Sequence, residues 1–466
     1  MQKTFGLLNI KSHLKLQDVA ISDCVIIGGT TSQGFISIEG LGSMIFEHST
    51  ISNLEVVEGL NLINIPGGSM TIDDITVQNV KLLGGSIVSI QSSGQLTITS
   101  STFKQTKGIS GLDSYVIFAY FHYPENELVI SDCIFDENGY NSDGWSSSLS
   151  IRISNGGQAS ISNTQFNKCK SLWGGALNIW IQQQGGSMSI DGTCQFTECS
   201  ATGTYANGGA ITLQIEGSNS QVILESGIKF DTCTSNYEGG GIGINIYNGG
   251  QFSIQGTCLF ENCQALNHTS GGISGNIQGE DTLMQISGQI TFDTCSAFLQ
   301  GGGMRLVVEN KACVEINELI FINCSVDNTV GQGGGFSAFL LSGGQMSIKS
   351  QTYTNCSGYG AGGLYTFLSS DGYKLEMVDI SCKDCSAVIN AGGIEIASQS
   401  SENEILITGE LIVENCSSEK NGGMIIQADN GIDIELIGVS FKDCFAQLYG
   451  GGLCLTRKQL ICFLLS

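Results

Sequence analysis

One spacing constrains this chain more than any other: an aromatic or apolar residue followed three positions later by cysteine. It recurs as Phe166/Cys169, Phe196/Cys199, Phe230/Cys233, Phe260/Cys263, Phe292/Cys295, Phe321/Cys324, Tyr353/Cys356, Cys382/Cys385, Val413/Cys416 and Phe441/Cys444. The ten cysteines span residues 169 to 444 in nine intervals, a period of about 30.6 residues that falls among solenoid units. After each cysteine a variable stretch leads to a glycine pair and an alternating apolar run, as in Gly174-Gly175-Ala176-Leu177-Asn178-Ile179 and Gly392-Gly393-Ile394-Glu395-Ile396. Alternation with period two means strand. A second strand opens on another glycine pair, for example Gly343-Gly344-Gln345-Met346-Ser347-Ile348, and the third carries the Phe-x-x-Cys element.

Three short strands and three corners per repeat predict an all-β fold, a right-handed parallel β-helix with three strands per coil. The N-terminal third follows the same grammar at Ile21/Cys24, Ile51/Leu54, Val77/Val80, Phe103/Thr106 and Phe135/Asn138, which brings the expectation to about fifteen coils. One such coil cannot bury its apolar face alone, so stability must come from stacking like positions on the next coil. Sixty-four glycines against two prolines suit tight corners and close backbone approach. The repeats are expected over residues 21–456, with a poorly defined segment at 1–20 and an off-pattern tail at 457–466.

Glycine-Glycine-Ala-(Ile/Leu) and Phe-x-x-Asn alternating along a chain resemble the repeats of the polymorphic outer membrane protein family. The motifs that carry the likeness are Gly174-Gly175-Ala176-Leu177, Gly208-Gly209-Ala210-Ile211 and Phe135-Asp136-Glu137-Asn138, and it extends over about residues 20 to 456. In this chain the motif asparagine is nearly always cysteine. The resemblance implies a pectin-lyase-like β-helix with adhesive roles at a cell surface or outside the cell.

Charge narrows the partners. With 19 Lys+Arg against 43 Asp+Glu the formal net charge is −24, which repels phosphate backbones and anionic membrane surfaces. Nucleic acid is excluded as a partner, and no apolar stretch reaches the ~18 to 20 residues of a membrane-spanning helix. Lys11, His13 and Lys15 interrupt any export signal at the start. The expected partner is a protein or a glycan of unknown identity.

Eighteen cysteines suggest a disulfide framework, yet their file does not. In-register stacking holds Cβ atoms parallel and ~4.8 Å apart, whereas a disulfide needs them ~3.8 Å apart and converging. Cys169, Cys199, Cys233, Cys263, Cys295, Cys324, Cys356, Cys385, Cys416 and Cys444 are therefore expected as a structural ladder of buried thiols. Cys382-Lys383-Asp384-Cys385 has no second pair at zinc-ribbon spacing, so no metal is expected. Neither is a cofactor.

Catalysis on a β-helix would require paired carboxylates or a base beside a cation site. The chain has four histidines and three arginines, and His268, in Asn267-His268-Thr269, reads as an exposed loop residue without a partner. No nucleophile–base arrangement emerges, which points to a non-catalytic surface-display, adhesive or interaction scaffold. The alternative is a polysaccharide-binding or polysaccharide-cleaving module. Binding is expected where outward strand positions turn apolar over consecutive coils: Val307, Phe339 and Phe367, with Tyr365 beside the last.

Overall fold

A computed structural model describes residues 8–27, 34–57, 59–108, 112–140, 146–182, 185–369, 372–399, 404–428, 433–457 and 463–465. The protein is all-β, a right-handed parallel β-helix of about 14 turns with three strands to a turn. That is close to the fifteen coils expected from the motif. The chain forms two compact units, residues 1–233 and 234–466.

In the first unit stacking begins before residue 21, because Leu8–Ile10 pairs in parallel with Ile36–Ile38 and His13–Gln17 with Ser43–Glu47. The strands that follow the variable stretch make up one sheet, here called sheet 1; it includes Ser114–Phe121, Ser146–Ile153, Leu177–Ile181 and Ile211–Glu216. Inside, the motif aromatics stack face to face. Phe103, Phe135, Phe166, Phe196 and Phe230 form one column with ring centroids 4.8 to 5.0 Å apart and planes within 9°.

The second unit repeats the scheme with Met304–Glu309, Phe336–Leu341, Leu364–Ser369 and Ile394–Ser398 in its own sheet 1. The remaining two strands of a turn often run on without a break, as in Gln345–Thr354. Its aromatic column comprises Phe260, Phe292, Phe321 and Tyr353. Tyr353 is fully enclosed, and its hydroxyl donates to Gln351 Oε1 at 2.5 Å. After Tyr353 the register passes to Cys382, Val413 and Phe441, so Cys382 occupies an aromatic position rather than half of a metal motif. The C-terminal strand Phe463–Leu465 pairs with Asp433–Leu436.

The corner chemistry explains why cysteine and asparagine can share one position of the repeat. The residue before each motif cysteine adopts the left-handed conformation, for example Thr294 at φ 56°, Asn323 at φ 53° and Asp384 at φ 56°. This turns the next side chain inward, beneath the carbonyl of the aromatic residue one turn earlier. Asn138 fills the position with an amide that donates to Phe103 O at 2.8 Å and accepts from Thr106 N at 2.9 Å. Thiols make the weaker version of the first bond: Cys199 donates to Phe166 O at 3.3 Å, and Cys324 to Phe292 O at 3.4 Å.

Each unit has its own file of these cysteines. In the first, the thiol of Cys199 meets those of Cys169 and Cys233; in the second, contacts run from Cys263 through Cys295, Cys324, Cys356 and Cys385 to Cys416, with Cys444 next. Burial, reinforced by the adjoining sulfurs, holds Cys199 and Cys295 well above the ordinary thiol range, which favours the protonated thiol over the reactive thiolate. Thiol titration of the denatured, unreduced chain should find well over half of the eighteen cysteines reactive, and fewer than about four would contradict the stacked-thiol ladder.

Candidate functional site

In the second unit, the first and third residues of each sheet 1 strand face inward and the fourth faces outward. Met304, Phe336 and Leu364 are buried, as the alternation requires. Val307, Phe339 and Phe367 are register partners across three turns and lie half-buried on the outer face. Phe339 meets Phe367 with centroids 6.2 Å apart and planes at 54°, and meets Tyr365 at 5.9 Å and 59°. Tyr365 itself is 8% exposed, so it forms the floor of the patch and not its surface. Burial, then Glu395, raises its hydroxyl above the ordinary range.

Arg305 closes one side of the patch. Its guanidinium lies over the Phe339 ring at 5.6 Å, while Nε donates to Gln300 Oε1 at 3.1 Å and Nη1 to Asn276 Oδ1 at 3.3 Å. Gln300 comes from the variable stretch, where isolated parallel bridges join Glu238, Thr269, Gln300 and Gln332 in sequence. These stretches therefore stack turn on turn and lie beside the first outward file. His268 belongs to the same row and is not the partnerless loop residue expected from sequence. It stacks on Tyr237 at 3.9 Å, and its Nδ1 sits 3.2 Å from Glu238 Oε1. Burial outweighs the pull of Glu238 and lowers its pKa.

Glu395 flanks Tyr365 in register and is 3% exposed. Asn390 Nδ2 donates to both carboxylate oxygens, at 3.0 and 3.2 Å. Burial still dominates, over the opposing effects of Asn390 and Lys420, and pushes the carboxyl up to about 7. A glutamate raised in the folded state contributes its full stability below the unfolded pKa and loses it as pH climbs through 7. Between about pH 5 and pH 8 the wild type should therefore lose up to about 3 kcal/mol relative to Glu395→Gln. Thermal unfolding of both proteins across that range checks this, and parallel pH profiles would refute it.

The outer face of sheet 1 in the first unit holds a second cluster that the sequence reading did not single out. Tyr120, Arg152 and Trp180 are consecutive register partners, with Phe118 one outward place earlier. The Arg152 guanidinium lies over the Phe118 ring at 5.9 Å and over Trp180 at 5.6 Å. Phe118 stacks on Tyr115 at 5.3 Å, and Tyr120 packs on exposed His122 at 4.0 Å. Trp180 follows the Gly174-Gly175 pair at the same distance at which Phe339 follows Gly333-Gly334, but its neighbours Tyr120 and Arg152 follow no glycine pair that would mark their register.

A cleft of about 670 Å³ in the second unit is lined by Glu280, Asp281, Lys311, Cys313, Gly343 and Gly372, among others. Lys311 Nζ lies 3.4 Å from Glu280 Oε1, so its charges already answer each other. Among the described residues no group of three or more His, Cys, Asp or Glu side chains is placed to hold a metal ion. None of the models of known protein families matches the chain, and no curated protein is similar to it.

Proposed function

We propose that the protein is a non-catalytic interaction scaffold, displayed at a cell surface, whose contact face in the second unit is the patch of Val307, Phe339 and Phe367. The observation that supports this is a run of half-buried apolar side chains, in register over three turns, on a face that the inward core does not use. Aromatic side chains packed against an arginine are the residue types that dominate contact energetics. Cell-surface display rests on the resemblance of the glycine-pair and Phe-x-x-Asn motifs to polymorphic outer membrane protein repeats. The competing reading as a polysaccharide-cleaving module would need an accessible acid beside a second carboxylate. Glu395 has the right pKa for an acid, but at 3% exposure and with Asn390 on both oxygens it is a buried structural carboxyl.

The test is retention of the full chain on a panel of insoluble polysaccharides (cellulose, chitin, xylan, β-glucan) and matrix proteins (fibronectin, laminin, collagen), with soluble sugar measured in the supernatant. The expected result is retention on one of these surfaces without release of reducing ends. Release of reducing ends or of unsaturated uronates would contradict the scaffold reading.

A further inference from the structure

We infer that the cluster around Arg152 and Trp180 in the first unit is a binding site for a terminal sugar that carries a single carboxylate. The inference extends the scaffold reading to the first unit and uses none of the second-unit patch.

Arg152 is the starting point. A guanidinium has five N–H donors in a planar fork suited to a carboxylate. Among the described residues Arg152 meets no carboxylate and no hydrogen-bond acceptor, in a chain with 43 acidic residues against 19 basic ones. Among the described residues the rings of Phe118 and Trp180 lie against it, and its charge also acts on the Tyr115 hydroxyl. Arg305, on the outer face of sheet 1 in the second unit but one outward place earlier in its strand, shows what a structural arginine does here: it donates to Gln300 and Asn276. The two arginines stand on the same kind of sheet face with opposite hydrogen-bond outcomes.

Trp180 adds a second unused donor. Its indole Nε1 is enclosed and has no acceptor among the described residues. An enclosed donor left unpaired is costly, and a ligand oxygen that reached it beside Arg152 would remove that cost. The ligand must therefore bring acceptor oxygens to two neighbouring donors, one of them charged.

The rings define the rest of the ligand. Phe118, Tyr120 and Trp180 are half-buried and give the site apolar walls beside its cation. The C–H face of a pyranose packs on such rings, while its hydroxyls remain hydrated. A polyanion would pit many charges against a chain of net charge −24 with one arginine to receive them. One carboxylate on a sugar ring matches one guanidinium, one indole N–H and aromatic walls.

The experiment titrates the full chain with the methyl α-glycoside of N-acetylneuraminic acid by calorimetry and ligand-observed NMR. Methyl β-galactoside serves as the neutral comparison and polygalacturonate as the polyanion. The acidic glycoside should bind saturably and more tightly than either. Arg152→Gln should weaken it by about tenfold or more, and Arg152→Lys, which keeps the charge without the fork, should weaken it less. Trp180→Phe, which keeps a ring and removes the N–H, should weaken it severalfold. Unfolding midpoints within about 2 °C of wild type would show that these variants fold. Equal binding of acidic and neutral glycosides, tighter binding of polygalacturonate, or undiminished binding by folded Arg152→Gln would each overturn the assignment. Retention on the surface panel with no binding of the acidic glycoside would remove this site and leave the second-unit reading intact.

Discussion

Replacing Phe321 by alanine is expected to destabilise the protein by about 3–5 kcal/mol, the usual cost of deleting a buried aromatic ring. Phe321 is fully buried, with Phe292 stacked on one face and Tyr353 on the other, each with its centroid 4.9 Å away. The cavity would open in the middle of a column whose other members are fixed by strand register, so neighbouring rings cannot slide in to fill it. A β-solenoid is held by nearest-neighbour stacking, and a gap in one turn weakens the turns on both sides. Denaturant unfolding should show a lower midpoint. A change under about 1 kcal/mol would mean that the column is not a principal source of stability.

Gly334→Ala should cost about 3 kcal/mol or more, for a different reason. A Cβ at this position would lie 2.3 Å from Gly362 O and 2.4 Å from Ser357 O, both backbone atoms of the next turn. Neither oxygen can withdraw, because both belong to segments bonded from turn to turn: Gly334 N donates to Ala361 O, and Gly362 N to Ala391 O. Gly372 provides the comparison, with φ of 81° and nothing within 4 Å of a Cβ. Alanine there meets only the left-handed backbone penalty of about 1–2 kcal/mol. Equal destabilisation by the two substitutions would show that backbone conformation, and not the approach of adjacent turns, selects glycine in the pairs.

These two positions also show why the fold could be read in the sequence. A motif recurs visibly when one local geometry demands one residue type at every turn, and three demands coincide here. The aromatic column needs a flat ring, the inward corner needs a small donor, and the approach of successive turns needs glycine. The N-terminal third is harder to read because Leu54, Val80, Thr106 and Asn138 all fit the buried corner, so composition varies while geometry does not. The patch was legible to the same extent. Alternation along the strand placed Val307, Phe339 and Phe367 outward, but it also placed Tyr365 outward, and Tyr365 is covered. Covering depends on the side chains that stand beside it, such as Phe339, whose ring lies 5.9 Å away, and Glu395, its register partner, and alternation alone does not reveal how far those side chains reach. Arg152 was missed for a related reason: the strand Ser146–Ile153 lacks the glycine pair that marks register elsewhere.

Sheet 1 of the second unit has an inner face that holds the fold and an outer face that we propose makes contacts. The most direct measurement compares Phe339→Ser/Phe367→Ser with wild type in thermal unfolding and in retention on whichever surface the intact chain binds. The expected result is an unfolding midpoint lowered by only a few degrees, since both rings are half-buried, together with a loss of retention of about tenfold or more. Full retention by the double variant, or a stability loss as large as that of Phe321→Ala, would contradict it.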